Sequence, residues 1–163
     1  MTKLEKKVAL VAHDNMKRDL VEWVAWNSSV LCTHSLVCTG TTGKMVEKTL
    51  QSHQIDNVEV KNTLERKPLD ITLLKSGPLG GDQQLGSMIA DNQIAALIFF
   101  WDPMSAQPHD VDVKALLRLA TLYNVPTAIN RSSADFIISS PLFQDEDYEQ
   151  DVKDYKEYIT RTV

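Results

Sequence analysis

The sequence is short of several things, and each shortage removes a class of function. It has two cysteines, Cys32 and Cys38, which are too few for a disulfide framework and lack the paired spacing of a zinc site; both are expected to be buried small hydrophobes. Its longest apolar run, Ile94–Trp101, is far shorter than a bilayer span requires. There is no excess of basic residues: the formal net charge is −5, and no basic stripe interleaved with aromatics is present to favour nucleic acid. Any anion bound here must be held locally, by backbone amides and a few placed cations. The first strand-to-helix turn, His13-Asp14-Asn15, contains no glycine, which excludes a dinucleotide fingerprint, and no phosphate-binding P-loop occurs. No internal repeat or low-complexity tract is visible.

What is present is ordinary for a globular domain: 163 residues, 43% hydrophobic and 24% charged, enough for one compact core and too little for two. The expectation is a single domain spanning 1–163. Met1–Lys7 is charged and leads into Val8–Ala12 without an apolar signal region, so a cytoplasmic location is expected. Short apolar runs alternate with amphipathic stretches, the pattern of βα units on a parallel sheet. Strands are predicted at Val8–His13, Ser35–Thr39, Ile71–Lys75, Ala96–Trp101 and Pro126–Asn130, mostly unalternated as befits strands buried on both faces. Helices are predicted at Asn15–Trp26, Gly81–Asn92, Asp112–Tyr123 and Ser132–Ser139, with a short one near Val152–Thr160. The segment 49–68 is polar and lacks a clean period, so it reads as a surface insertion that extends the preceding helix or leaves it; 142–163 reads as an acidic tail too polar for the core.

In an open parallel sheet, ligands bind at the carboxyl ends of the strands. Those ends are rich in functional groups here. The first supplies His13-Asp14 with Lys17, the second Thr39-Gly40-Thr41-Thr42-Gly43, the third Ser76-Gly77 through Gly80-Gly81-Asp82, and the fourth Trp101-Asp102-Pro103 and Pro108-His109-Asp110-Val111-Asp112. Thr39–Gly43 suits an anion at a helix start, or simply a threonine cap. Ser76-Gly77 is a second small turn of that kind. Lys17 could close over an anion or lie on a solvated face. Asp82, set by two glycines at a helix start, is either a helix cap or a general base, and the helix end would favour its ionised form. His109 stands among Asp102, Asp110 and Asp112, carboxylates able to orient an imidazole. A metal held by His13, Asp14, Asp82, Asp102, His109 and Asp112 is the competing use of the same groups, but no tight ligand motif supports it.

Together, Val11-Ala12-His13-Asp14 with Lys17, Thr39–Gly43, Ser76–Gln84, Phe99–Pro103, Pro108–Arg118 and Asn130–Pro141 resemble the methylglyoxal synthase family, in the family's order and over most of the chain. The resemblance implies a three-layer α/β/α fold on a five-stranded parallel sheet. It also implies a lyase that converts dihydroxyacetone phosphate to methylglyoxal and inorganic phosphate, with no metal or organic cofactor. By motif, Asp82 would be the catalytic base and His109 the electrophile and proton shuttle, with Asp112 and Asp102 as supporting carboxylates and Asp14 in the same cluster. His13, Lys17, Thr39, Gly40, Thr41, Thr42, Ser76, Gly77 and His109 would bind substrate and phosphate. The family implies a cytoplasmic homohexamer inhibited by phosphate, and a tail arginine at a subunit boundary; Arg161 lies near that place, out of clear register. Two other readings share the fold: a regulatory module like the effector domain of carbamoyl phosphate synthetase, and a purine-pathway cyclohydrolase domain. Neither has a use for Asp82 and His109 together.

Overall fold

The computed structural model describes residues 5–56 and 68–162. Five strands, β1 Lys7–Ala12, β2 Leu36–Cys38, β3 Ile71–Leu73, β4 Ile94–Phe100 and β5 Thr127–Ala128, form one parallel sheet in the order β3-β2-β1-β4-β5. The helices are α1 Lys17–Trp26, α2 Ser28–Leu31, α3 Gly40–Asp56, α4 Gly81–Ala90, α5 Asp110–Leu122, α6 Arg131–Ser139 and α7 Lys156–Thr160. Among the described residues, no helix is long and apolar enough to cross a membrane.

Alternation along the two central strands divides the core between two faces. Val8, Leu10 and Ala12 of β1, with Ile98 and Phe100 of β4, pack against Leu20, Trp23 and Val24 of α1, Val46 and Leu50 of α3, and Ala134 and Ile138 of α6. Ala9 and Val11, with Leu97 and Phe99, meet Leu85 and Ile89 of α4 and Val113, Leu116 and Ala120 of α5. These are the three expected layers. The near-continuous apolar runs of β1 and β4 follow from their being covered on both sides.

Several boundaries differ from the sequence reading, each for a local reason. The fifth strand is two residues long, not five, because Asn130 leaves the sheet to cap α6, its side chain accepting the Ser133 N–H at 2.9 Å. Thr39–Gly43 is no turn ahead of a helix: α3 starts at Gly40 itself. That helix also takes in the start of the supposed insertion, and Leu50 is fully buried rather than at the surface; residues 57–67 lie outside the described ones. Asp82 is not a helix cap, since Gly80 precedes α4 and Asp82 sits within its first turn. Cys38 is buried as expected, but Cys32 is half-exposed. The tail is not wholly detached from the body: the Gln150 amide donates to the Ile94 and Ala95 carbonyls, at 3.1 and 2.9 Å.

Candidate active site

The order β3-β2-β1-β4-β5 places the carboxyl ends of β2, β1 and β4 side by side, with the crossover between β1 and β4 at the centre of the sheet. A cleft opens there, walled by Val11, Ala12 and Phe99 at the strand ends. Its remaining lining is polar: His13, Asp14, Lys17, Thr39, Gly40, Thr41, Thr42, Ser76, Gly77, Asp82, Gln107 and His109, with Pro78. Apart from Ser35, every buried polar or charged side chain among the described residues belongs to this cleft or to the loop behind it. Burying such groups costs free energy unless something pairs with them.

One half of the cleft combines a helix start with a lysine, features that favour an anion. The first turn of α3 presents the Thr41 and Thr42 amides, which have no partner within the helix, at the positive end of its dipole. Gly40 enters that helix at φ +53, where a side chain would be strained and would also press on Ser76 at 3.0 Å. Lys17 reaches across from α1, its Nζ donating to Thr41 Oγ1 at 2.5 Å and to Asp14 Oδ1 at 2.6 Å. The ammonium beside it holds the exposed Asp14 carboxyl below the usual carboxylate range.

The other half gathers three groups that titrate. Asp82, His13 and His109 are 3%, 6% and 8% exposed, and each carries a buried atom with no hydrogen-bond partner: Asp82 Oδ2, His13 Nε2 and His109 Nδ1. Asp82 Oδ2 lies 3.6 Å from His109 Nε2, near but beyond a hydrogen bond. The His13 and His109 rings meet edge-on at 5.7 Å. Burial pushes the Asp82 carboxyl above the ordinary carboxylate range; His109 opposes that shift and Asp112 adds to it. The sequence reading, which let the helix end keep Asp82 acidic, omitted this larger effect of desolvation. Burial, followed by His109, lowers the proton affinity of His13, with Asp102, Asp110 and Asp14 acting the other way. Gly77 passes so close that a Cβ there would stand 2.8 Å from His109 Nε2 and 3.1 Å from Asp82 Oδ2. The absence of a side chain at Gly77 is what lets the pair face open space.

Two of the expected groups stand apart from the cleft lining. The Asp102 carboxylate is directed behind it, accepting the Asn15 amide at 2.9 Å and the Met104 N–H at 2.9 Å, and these bonds, Asn15's first, hold it below the usual carboxylate range. Asp112, in the first turn of α5, lies outside the lining; its N–H donates to the His109 carbonyl at 2.9 Å and its charge acts on Asp82. Arg161 stacks over the Tyr158 ring, 3.8 Å from its centre, within the tail. Gln107 lines the cleft and was not anticipated, although its place two residues before His109 was a signal. Among the described residues, no group of three or more His, Cys, Asp or Glu side chains is placed to hold a metal ion.

Comparison with known proteins finds relatives along nearly the whole chain. Residues 19–129 match the family model of the MGS-like domain. The chain is 54% identical to the methylglyoxal synthase of Maridesulfovibrio salexigens over 160 residues, covering 97% of this chain and 98% of the relative. It is 50% identical to that of Proteus mirabilis, covering 95% and 90%. The crystal structure of methylglyoxal synthase from Elizabethkingia anophelis NUHP1 superposes with a TM-score of 0.78 at 47% identity, covering 98% of this chain and 93% of that one. With a family model matching residues 19–129 and relatives matching along nearly its whole length, the chain belongs to the methylglyoxal synthase family.

Proposed function

We propose that Asp82 is the base, and His109 the electrophile, of the lyase reaction by which this enzyme turns dihydroxyacetone phosphate into methylglyoxal and inorganic phosphate. The observation that carries the assignment is the gathering around one cleft of three buried side chains, Asp82, His109 and His13, each with a polar atom that has no hydrogen-bond partner. A fold does not leave such atoms unpaired without cost unless a ligand is to satisfy them.

The substrate phosphate sits against the first turn of α3, held by the Thr41 and Thr42 amides and hydroxyls, Ser76, Gly77 and Lys17. This places the hydroxymethyl carbon toward Asp82. The carboxylate takes a proton from that carbon, and the electron pair moves into an enediolate whose oxygens are stabilised by hydrogen bonds from His109 and His13. A raised carboxyl pKa suits this step, because a stronger base captures a weakly acidic proton more readily. Once the terminal hydroxyl proton has passed to the former carbonyl oxygen, the terminal oxygen forms a C=O bond, the enediol pair shifts to make a C=C bond to the phosphate-bearing carbon, and the bridging C–O bond breaks with its electron pair leaving on phosphate. The cradle that held the ground-state dianion receives it. His109 shuttles the proton between the enediol oxygens, and ketonisation of the released enol gives methylglyoxal.

Asp14 helps fix Lys17, while Asp102 and Asp112 act on the histidine and carboxylate from outside the cleft. Phosphate, as a product with the same anionic group, inhibits by occupying the cradle. On the same reading the domain is single, acts in the cytoplasm as a homohexamer, and requires no cofactor; family likeness is the support for these points. A purely regulatory module would explain the cradle but not the buried reaction centre.

The decisive assay supplies dihydroxyacetone phosphate and measures methylglyoxal and phosphate together. Asp82→Asn keeps the shape and removes the base, so turnover should vanish while phosphate binding persists. Full turnover in that variant would refute the assignment.

A further inference from the structure

The histidine after β1 is held from behind. His13 Nδ1 accepts the backbone N–H of Asp102 at 3.1 Å, so that nitrogen carries no proton and the neutral ring has its hydrogen on Nε2. Nε2 is the buried atom at the cleft that has no partner. A carboxylate in the place of that peptide group would select the opposite tautomer, with the proton on Nδ1 and a bare acceptor facing the substrate. Whatever fixes this peptide group therefore decides whether His13 offers a donor.

The peptide belongs to the irregular stretch following β4. Its Asp102 carboxylate turns back to the Met104 N–H through Oδ1 and takes the Asn15 amide on Oδ2, both at 2.9 Å. The same Asn15 nitrogen reaches Ser105 Oγ at 3.2 Å. Asn15 lies in the short turn Asp14–Met16 and makes no capping bond to α1. Its amide is committed to the neighbouring loop.

We propose that Asn15 is a positioning residue: through Asp102 it holds the backbone N–H on His13 Nδ1, and so keeps Nε2 a hydrogen-bond donor toward a substrate oxygen. The inference rests on the reading above in taking His13 to face bound substrate. The part that concerns the tautomer can be measured without turnover. Asn15 is exposed, so replacing it removes no core packing.

The test uses the full chain with 15N-labelled histidine and two variants, Asn15→Ala and Asn15→Asp. Aspartate has the shape of asparagine but turns an oxygen toward the Asp102 carboxylate, so a role of shape alone would leave it harmless. A donor role makes it worse than alanine. Long-range 1H–15N spectra at neutral pH should show wild-type His13 as a neutral ring protonated on Nε2, and both variants with that pattern lost or averaged. In steady state, kcat should fall about tenfold for alanine and further for aspartate, with KM changing less, as expected for a misaligned transition-state donor. A wild-type ring protonated on Nδ1, or a His13 pattern unchanged in both variants, overturns the proposal. Wild-type protein that shows the Nε2 tautomer but forms no methylglyoxal would count against the assigned reaction and leave the bracing intact.

Discussion

At the scale of single residues, burial sets the chemistry and sets it in opposite directions for Asp82 and His13. The Asp82 carboxyl is pushed up and the His13 imidazole down, each away from its charged form. For His13 this has a consequence for stability. Above pH ~6.5 the ring is neutral in both folded and unfolded chains and contributes nothing to the pH dependence. As pH falls below that value the unfolded chain binds a proton that the native His13 still refuses, so stability is lost until the lower native pKa is reached. Within that window the slope is at most ~1.4 kcal/mol per pH unit. Denaturant titrations of wild type and His13→Asn between pH 7 and 5 should show the wild type losing more stability on acidification. Parallel curves would contradict a depressed His13 pKa. Asp82 acts with the other sign, since between the ordinary carboxylate pKa and its raised native value the folded chain holds a proton that the unfolded chain has released. Stability from that source grows as pH falls, and comparison with a variant altered only at His13 separates the two.

At the scale of elements, Leu50 and α3 show what a sequence does and does not reveal. Leu50 is completely buried against the sheet, and Leu50→Ala should cost about 2–5 kcal/mol by urea unfolding. A change within about 0.5 kcal/mol, as expected at an exposed neighbour such as Gln51, would show that α3 does not pack as described. The central strands were legible because burial on both faces leaves an unbroken apolar run, as in β1 and β4. The end of α3 was not, because Gln51, Ser52, His53 and Gln54 follow Leu50 and only one side of the helix is apolar there. The fifth strand was overestimated for a related reason: Ile129 continues the apolar pattern, but the cap supplied by Asn130 ends the strand first. The cleft residues could be found because strand ends converge in any sheet of this kind, and because five of the six glycines, Gly40, Gly43, Gly77, Gly80 and Gly81, fall in the two segments Thr39–Gly43 and Ser76–Asp82 that follow β2 and β3. The separation of Asp102 and Asp112 from the lining could not. Both stand in the same short stretch as His109, and only the path of the backbone after β4 shows that one faces Asn15 and the other acts through its charge.

At the scale of the whole molecule, the cleft joins groups between positions 13 and 109, so ligand binding is coupled to the folding of most of the chain. Inorganic phosphate should therefore raise the unfolding temperature by mass action, with stabilisation of about 2.7 kcal/mol when its concentration is 100 times its Kd. Thermal scans with and without phosphate test this, and Lys17→Ala should reduce the response because it removes the cation that reaches Thr41. An equal rise in that variant would place the anion elsewhere.

The lengths of the strands carry one more consequence. The six and seven residues of β1 and β4 lie inside the sheet, while the outer strands β3 and β5 have three and two. Among the described residues, each flank of the sheet is thus a brief row of open peptide groups, too short to template a long added strand. Copies of this chain should meet through helices and loops rather than by splicing their sheets, and accidental growth into cross-β aggregates has little edge on which to begin.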